Sequence, residues 1–233
     1  MLKRKKNAPA PTAQRSLISH TQPKSPISEQ YRTLRTNIQF SNVDGSLQSL
    51  MVTSSGPGEG KSTTVANLAV VFAQQGKKVL LVDADLRKPT VHYTFRLENH
   101  IGLTNVLTKQ TPLLFAVHST DIENLSVLTS GPIPPNPAEL LASAAMKEIL
   151  EEMYGEFDII LFDTPPVLAV TDAQILANLC DGSVLVIRSA GTVVDAAQKS
   201  KELLEAAQGK LLGVVLNQKQ QEKGDYFYYY GTN

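Results

Sequence analysis

The chain has 233 residues, of which 42% are hydrophobic, and its 22 Lys and Arg balance 22 Asp and Glu. A chain of this length can bury one substantial core, so one domain is the simplest organisation. The zero net charge provides no global basic field, and we therefore expect no nucleic acid in the catalytic role. The single cysteine, Cys180, excludes an internal disulfide, and we predict that it fills a core position rather than acting as a nucleophile.

Residues 1–25 are predicted to form a flexible leader, because they combine a basic run at residues 3–6 with several prolines. This leader lacks the apolar stretch of a secretion signal, and no part of the chain approaches the ~20 apolar residues that span a bilayer. The basic run suits contact with anionic lipid or an acidic partner, although short basic runs are usually only solvated termini.

The first predicted helix covers residues 28–40 and carries a partial apolar face. Glu29, Arg32 and Arg35 are spaced three residues apart, so on a helix they form one ridge. The spacing alone favours a solvated face of ion pairs for this ridge.

A phosphate-binding loop follows a predicted strand over residues 49–53. The segment from Ser55 to Thr63 reads Ser-Gly-Pro-Gly-Glu-Gly-Lys-Ser-Thr and leads into an apolar helix pattern. Glycines let backbone N–H groups turn toward phosphate oxygens, a lysine neutralises their charge, and a hydroxyl reaches Mg²⁺. Ser55 replaces the usual first glycine, where a small residue suffices. The loop residues expected to hold a nucleotide are Gly56, Pro57, Gly58, Glu59, Gly60, Lys61, Ser62 and Thr63.

Two further predicted strands end in carboxylates. The strand over 78–83 ends at Asp83 and is followed by Asp85, and the strand over 158–163 ends at Asp163. A single aspartate of this kind is usually a cap or a turn former. Because ligands of parallel α/β sheets lie outside the carboxyl ends of the strands, however, we expect all three to converge beside the phosphate loop. The predicted catalytic residues are Lys61, Asp83, Asp85 and Asp163, and the predicted magnesium ligands, direct or through water, are Ser62, Asp83 and Asp163.

The remaining elements complete an alternating pattern of strands and helices. Strands are predicted over 125–129, 183–188 and 211–216, and a helix over 192–208. This alternation predicts an α/β fold of the P-loop NTPase type, with a doubly wound, mainly parallel sheet flanked by helices over residues 26–220. Asn217 closes the last strand, where related folds place an amide that contacts adenine; a turn residue that ends the strand is nearly as good an interpretation.

These motifs make the chain resemble a known family, the bacterial tyrosine kinases of capsule and exopolysaccharide synthesis, in its stand-alone cytoplasmic form of the Gram-positive type. The resemblance covers nearly the whole chain. Its motifs are the phosphate loop, the segment 81–89, the Asp-Thr-Pro-Pro run at 163–166, the Pro-rich segment 131–141, the Glu-x-x-Arg-x-x-Arg ridge and a tyrosine-rich tail. It implies a protein-tyrosine kinase that uses ATP and Mg²⁺ and regulates the synthesis or export of a polysaccharide.

The tail, residues 221–233, holds the tyrosines Tyr226, Tyr228, Tyr229 and Tyr230 beside polar and glycine residues. From the residues alone, this segment is either a tail that docks on a neighbour or a cluster of phospho-acceptors. The resemblance favours acceptors that are phosphorylated between subunits. Each phosphotyrosine would add ~1.5 to 2 negative charges, which would repel the tail from a site lined by carboxylates or loosen the contacts between subunits.

The resemblance also implies chemical roles. One carboxylate would accept the tyrosine proton, with Asp83 the first candidate and Asp85 the second. The residues themselves indicate one more role: because the phosphate loop has few lysines, an additional cation for the transition state would come from Arg87, or from Arg32 or Arg35 of a neighbouring subunit.

Several partners are implied in the same way. Glu29, Arg32 and Arg35 would build a ring-like homo-oligomer, and a separate transmembrane adaptor would activate the kinase. The chain would then be cytoplasmic and peripheral at the inner face of the cell membrane. A cognate tyrosine phosphatase and other protein substrates would complete the system.

Two other classes of function fit the same fold. Positioning ATPases carry a second lysine at the place of Gly56, and its absence here argues against that class. A nucleotide-dependent scaffold for polysaccharide export, in which nucleotide binding rather than phosphoryl transfer is the output, is the second alternative.

Overall fold

One seven-stranded sheet organises the protein. The computed structural model describes residues 17–41 and 47–220. The strand order is β3-β4-β2-β5-β1-β6-β7, and all neighbours run parallel except β3, which is antiparallel to β4. The strands are β1 (Ser49–Ser54), β2 (Val79–Asp83), β3 (Val117–Ser119), β4 (Leu125–Leu128), β5 (Ile159–Asp163), β6 (Gly182–Arg188) and β7 (Leu211–Asn217).

Ten helices occur in the described part of the chain. They are α1 (Ile18–Thr21), α2 (Pro26–Phe40), α3 (Lys61–Ala73), α4 (Val91–Phe95), α5 (Leu103–Leu107), α6 (Leu113–Ala116), α7 (Pro137–Leu141), α8 (Ala144–Glu156), α9 (Asp172–Leu179) and α10 (Val194–Ala206). They cover both faces of the sheet, which confirms the predicted α/β, doubly wound architecture.

Each face of the sheet has its own hydrophobic core. Alternate residues of β1 point to opposite faces, so Met51 packs with α8 and α9 while Leu50 and Val52 pack with α3. Cys180 is buried in the first of these cores, as predicted, and its burial raises the pKa of the thiol. Helices therefore cover both faces of the sheet, and a ligand is expected at the carboxyl ends of the strands.

Helix α3 is apolar around most of its circumference. Its residues from Val65 to Ala73 are almost completely buried, because the sheet covers one side while α1 and α2 cover the other. A helix that is hydrophobic all round is typical of such a sandwiched position. The segment that follows the phosphate loop is thus held on both sides.

The structure corrects the predicted leader over residues 17–25. Ser19 of α1 is fully buried, its N–H donates to Asn67 Oδ1 (2.9 Å), and its carbonyl accepts from Gln74 Nε2 (2.9 Å). These contacts join α1 to α3, so this part of the predicted leader belongs to the domain. Residues 1–16 lie outside the described residues.

Two element boundaries also differ from the predictions. Helix α2 starts two residues early, because Ser25 caps it through a bond from Ser28 N–H and Pro26 occupies its first turn. Strand β3 has no counterpart among the predicted strands, since three residues at the edge of a sheet are too few to show a periodic pattern.

Candidate active site

The phosphate loop joins the end of β1 to the start of α3 at the carboxyl edge of the sheet. Gly58 and Gly60 adopt positive φ angles of 78° and 94°. A Cβ at Gly60 would lie 2.0 Å from Asn217 Nδ2, so glycine is required there both for its conformation and for space. No described side chain caps α3, and its first N–H groups are therefore available to an anion.

Lys61 sits at the centre of the aspartate cluster. Its ammonium lies 3.2 Å from Asp163 Oδ1, 3.3 Å from Asp85 Oδ2 and 3.1 Å from Ser62 Oγ. Burial lowers the pKa of Lys61, but the attraction of the neighbouring carboxylates outweighs burial and raises this pKa above its ordinary value. The structure thus brings together the lysine, the hydroxyl and two of the predicted aspartates.

Asp83 is fully buried and faces the backbone of the segment that follows it. Its Oδ2 accepts the N–H groups of Thr90 and Val91 (2.9 Å each) at the start of α4, and its Oδ1 accepts that of Asp85 (3.3 Å). Burial and the charge of Asp163 raise the pKa of Asp83 to about 7. The side chain therefore supports α4 while it lies in the charge cluster.

Asp163 has one carboxylate oxygen without a partner. The residue is completely buried at the end of β5, and Oδ2 makes no hydrogen bond to any described residue. A buried carboxylate oxygen of this kind is costly unless a ligand pairs with it. Because carboxylate oxygens suit Mg²⁺ or its waters, Asp163 and the nearby Ser62 fit the predicted metal.

No three His, Cys, Asp or Glu side chains within 17–41 and 47–220 are grouped as a metal-binding cluster. This pattern differs from a calcium or zinc cage, which needs several protein ligands. Mg²⁺ in phosphoryl-transfer sites is usually held by one or two carboxylates together with water and phosphate oxygens. The donor set found here is compatible with that type of site.

Arg87, one of the predicted sources of an extra cation, is bound elsewhere. Its Nε and Nη2 contact the two carboxylate oxygens of Asp172 at 2.9 Å each. Asp172 is fully buried in the first turn of α9, where a carboxylate is also favoured by the helix dipole. Sequence reasoning missed Asp172. An aspartate at the start of a helix is a recognisable sequence signal, but its partner Arg87 lies 85 residues away along the chain and no motif connects the two.

The remaining loop contacts were also missed by sequence reasoning. The buried Glu59 carboxylate accepts the N–H of Ser55 at Oε2 (2.9 Å) and the hydroxyl of Thr192 at Oε1 (2.6 Å). Asn217 Nδ2, predicted near adenine, donates to the Glu59 carbonyl (2.8 Å). No sequence motif marked Thr192, because it lies 133 residues from Glu59 along the chain.

The predicted interface ridge on α2 has two kinds of contact. Arg32 pairs with Glu29 and donates to the Pro23 carbonyl (2.7 Å). Arg35 instead donates through Nη1 to the Val71 carbonyl (2.7 Å) in the last turn of α3. The three side chains therefore do not act as one free ridge, since Arg35 joins two helices of the same subunit.

The four tyrosines predicted as phospho-acceptors belong to the tail. Tyr226, Tyr228, Tyr229 and Tyr230 lie outside the described residues. Within the described ranges, no helix is long and apolar enough to cross a membrane.

A strand, a glycine loop and a helix N-terminus that face aspartates at the carboxyl edge of a parallel sheet define a nucleotide-binding protein of the P-loop NTPase class. In agreement, the family model described as AAA domain matches residues 47–192.

Comparison with known proteins specifies the family. The chain is 60% identical to the tyrosine-protein kinase YwqD of Bacillus subtilis (strain 168) over 219 residues, which cover 94% of this chain and 92% of that protein. It is 42% identical to the tyrosine-protein kinase CpsD of Streptococcus agalactiae serotype III (strain NEM316) over 190 residues, 81% of each chain. The crystal structure of the chimerical protein CapA2B2 matches with a TM-score of 0.85 and 49% identity, covering 88% of this chain and 90% of that one. The chain belongs to the bacterial tyrosine kinases of capsule and exopolysaccharide synthesis, and it is a protein-tyrosine kinase.

Proposed function

We propose that this kinase uses ATP and Mg²⁺ to phosphorylate the tyrosines of its own tail, between subunits, and thereby regulates the synthesis or export of a polysaccharide. The observation that carries this proposal is the convergence of Lys61 with Asp85 and Asp163 beside the phosphate loop. Phosphoryl transfer depends mainly on positioning and on neutralising charge, and this cluster provides both.

In the proposed reaction, Lys61 exchanges its carboxylate partners for the β- and γ-phosphate oxygens of ATP. Mg²⁺ would supply further neutralisation of phosphate charge when bound. Ser62 and the unpaired oxygen of Asp163 would hold it, directly or through water, and Asp83 completes the predicted ligand set. The glycine loop and the start of α3 hold the phosphates through backbone N–H groups.

The proton of the attacking tyrosine requires an acceptor, and two carboxylates remain candidates. The raised pKa of Asp83 suits a base that works near neutral pH. Its bonds to the start of α4, however, occupy its oxygens, whereas Asp85 Oδ2 accepts from the Lys61 ammonium, which would move to the phosphates when ATP binds. Burial and charge therefore favour Asp83, and the hydrogen bonds favour Asp85.

The proposed partners follow from the relatives and from the α2 ridge. The match to most of the length of YwqD and the likeness to the chimerical protein CapA2B2 support a kinase that works with a separate transmembrane adaptor. That adaptor would hold the chain at the inner face of the cell membrane. Glu29, which is exposed, and its ion-pair partner Arg32, which is partly exposed, would contribute to a ring of subunits together with Arg35. A tyrosine phosphatase and other protein substrates would complete the cycle.

Mass spectrometry of the full chain after incubation with ATP and Mg²⁺ tests the proposal. The reaction should be run with and without the cytoplasmic segment of an adaptor from the same organism. We expect phosphate on one or more of Tyr226, Tyr228, Tyr229 and Tyr230 in the wild type and none in Lys61→Met, because this substitution removes the cation that holds the phosphates. Circular dichroism of the variant should remain that of the wild type.

ATP hydrolysis with an unmodified tail under both conditions would overturn the proposal and favour the positioning ATPase. Retained phosphorylation in Lys61→Met would refute the role given to the lysine. Normal polysaccharide export in cells that carry a variant able to bind ATP but unable to transfer phosphate would favour the scaffold.

A further inference from the structure

The phosphate loop contains a buried carboxylate, Glu59, that links the loop to another part of the protein. Glu59 lies in the middle of the loop, yet its side chain is 8% exposed and points away from the solvent. One oxygen accepts the Ser55 N–H and the other accepts the Thr192 hydroxyl, at 2.9 and 2.6 Å. The carboxylate thus joins the first residue of the loop to the segment between β6 and α10.

Thr192 is itself fixed in place. Its hydroxyl accepts the Arg188 N–H (2.9 Å), and its own N–H donates to the Arg188 carbonyl (2.9 Å). Since the hydroxyl accepts one bond and donates the other, it has a single useful orientation toward Glu59. The position of Glu59 is therefore set by the end of β6 rather than by the loop alone.

Two further contacts hold the same side of the loop. The hydroxyls of Ser55 and Ser200 are hydrogen-bonded at 2.9 Å, and Ser200 is fully buried in α10. Asn217 at the end of β7 donates to the Glu59 carbonyl. β6, α10 and β7 thus all reach the first half of the loop, which is the half that has Gly56 in place of a second lysine.

A negative side chain within a phosphate-binding loop would repel its ligand unless its charge were satisfied elsewhere. Here both carboxylate oxygens of Glu59 accept hydrogen bonds, one from the loop backbone at Ser55 and one from Thr192 in the segment between β6 and α10. A charged acceptor makes such hydrogen bonds stronger than neutral ones. The bonds therefore both direct the charge away from the phosphates and hold the loop in one shape.

We propose that Glu59 and Thr192 are positioning residues of the kinase reaction: the Thr192 hydroxyl holds the Glu59 carboxylate, which holds the Ser55 N–H and keeps the loop in the shape that receives the phosphates of ATP. This role rests on the proposed use of ATP. It concerns binding of the nucleotide rather than the transfer step, because the Glu59 and Thr192 side chains bond to each other, to Ser55 and to Arg188, whereas Lys61 bonds to Asp85 and Asp163.

Calorimetric titration of the full-length chain with ATP and Mg²⁺ tests the proposal. Thr192→Val keeps the shape of the side chain and removes its hydroxyl, so we expect the Kd for ATP to rise about tenfold. Thr192→Ser retains the hydroxyl and should restore the wild-type Kd. Thr108→Val is a matched control, because the Thr108 hydroxyl donates to carbonyls of the helix that it follows, α5, far from the loop in sequence.

Kinetics separate positioning from a merely structural role. In Thr192→Val the KM for ATP should rise with the Kd while kcat changes much less, since the groups that act on the transferred phosphoryl are untouched. Hydrogen exchange at the Ser55 N–H should become faster in this variant. A drop in Tm with unchanged Kd and KM would overturn the proposal.

A second variant keeps the proposal testable if Thr192→Val folds poorly. Glu59→Gln removes the charge and places an NH2 group either against the Ser55 N–H, which is a donor, or against the Thr192 hydroxyl, which must then turn its proton away, and it should weaken ATP binding in the same way. The double variant should bind ATP no more weakly than the weaker of the two single variants, because both substitutions break the same contact between Glu59 and Thr192. Additive losses of ATP affinity in the double variant would contradict the proposed link from Thr192 through Glu59 to Ser55. Absence of ATP binding in the wild type would instead refute the proposed use of ATP, while Ser55 hydrogen exchange would still test the contact.

Discussion

Gly60 shows how one residue can satisfy several demands at the start of α3. It is the last residue before α3 and has a φ angle of 94°, and the space where a Cβ would stand is taken by Asn217 Nδ2. The same amide donates to the Glu59 carbonyl, so the close approach is part of how the loop is held. The loop motif in the sequence predicted a glycine here for its conformation, but only the fold revealed the neighbour.

Gly60→Ala should therefore destabilise the protein by about 1 kcal/mol or more, from backbone strain and from displacement of Asn217. ATP binding should be lost with it. Gly155→Ala is the matched control: Gly155 lies in α8, a methyl group added there would meet no described atom within 4 Å, and alanine is the better helix former. Urea denaturation of both variants measures the difference. Equal stability of the two would contradict this account of Gly60.

At the scale of elements, the contact between α2 and α3 changes the interpretation of the predicted interface. The guanidinium of Arg35 bonds to a carbonyl in the last turn of α3, where the helix dipole also favours a cation. Arg32, one turn earlier, pairs with Glu29 near the surface. Arg32 and Arg35 are thus the same residue type at a regular spacing, but Arg35 joins two helices while Arg32 forms an ion pair within α2.

Arg35→Ala should lower the free energy of unfolding of the subunit by about 1 to 3 kcal/mol, because a charged hydrogen bond between two helices is lost. Arg32→Ala should cost less, because its ion pair with Glu29 and its bond to the Pro23 carbonyl both lie at the surface, where an ion pair contributes only about 0 to 1 kcal/mol. Denaturation at low protein concentration measures this difference, and sedimentation at high concentration measures assembly. If both variants lose assembly but only Arg35→Ala loses stability, Arg35 has both roles. Equal stability of the two variants would refute the proposed link between α2 and α3.

At the scale of the whole molecule, the described residues contain a seven-stranded sheet with a hydrophobic core on each face. All seven strands, the phosphate loop and the aspartate cluster lie between residues 17 and 220, and the predicted acceptor tyrosines follow this part of the chain. Folding and nucleotide binding should therefore be separable from the supply of acceptors.

A chain that ends at residue 220 should keep the Tm and the ATP affinity of the full-length protein, because no described strand or site residue is removed. It should lose phosphorylation of itself. It should nevertheless phosphorylate the tail of a full-length Lys61→Met partner if transfer occurs between subunits. Calorimetry and mass spectrometry of the mixture check both expectations. Failure to modify that partner would contradict transfer between subunits.

The sequence by itself determined the elements whose signals are local. Apolar strands, the glycine loop and the aspartates at strand ends are each encoded within about ten residues, and periodicity and turn chemistry are sufficient to recognise them. The fold class, the loop and the convergence of Lys61 with Asp85 and Asp163 followed from those signals, together with the rule that parallel strands present ligands at their carboxyl ends.

Tertiary structure alone decided which distant groups became partners. The bonds from Thr192 to Glu59, from Arg87 to Asp172 and from Arg35 to Val71 join residues that are 133, 85 and 36 positions apart. Hydroxyl, carboxylate and guanidinium groups can bond to many partners, so their types do not specify which one is chosen. The position of β6 in the sheet and the packing of α9 and α3 against the sheet make that choice, because they determine which donors and acceptors are brought within hydrogen-bonding distance.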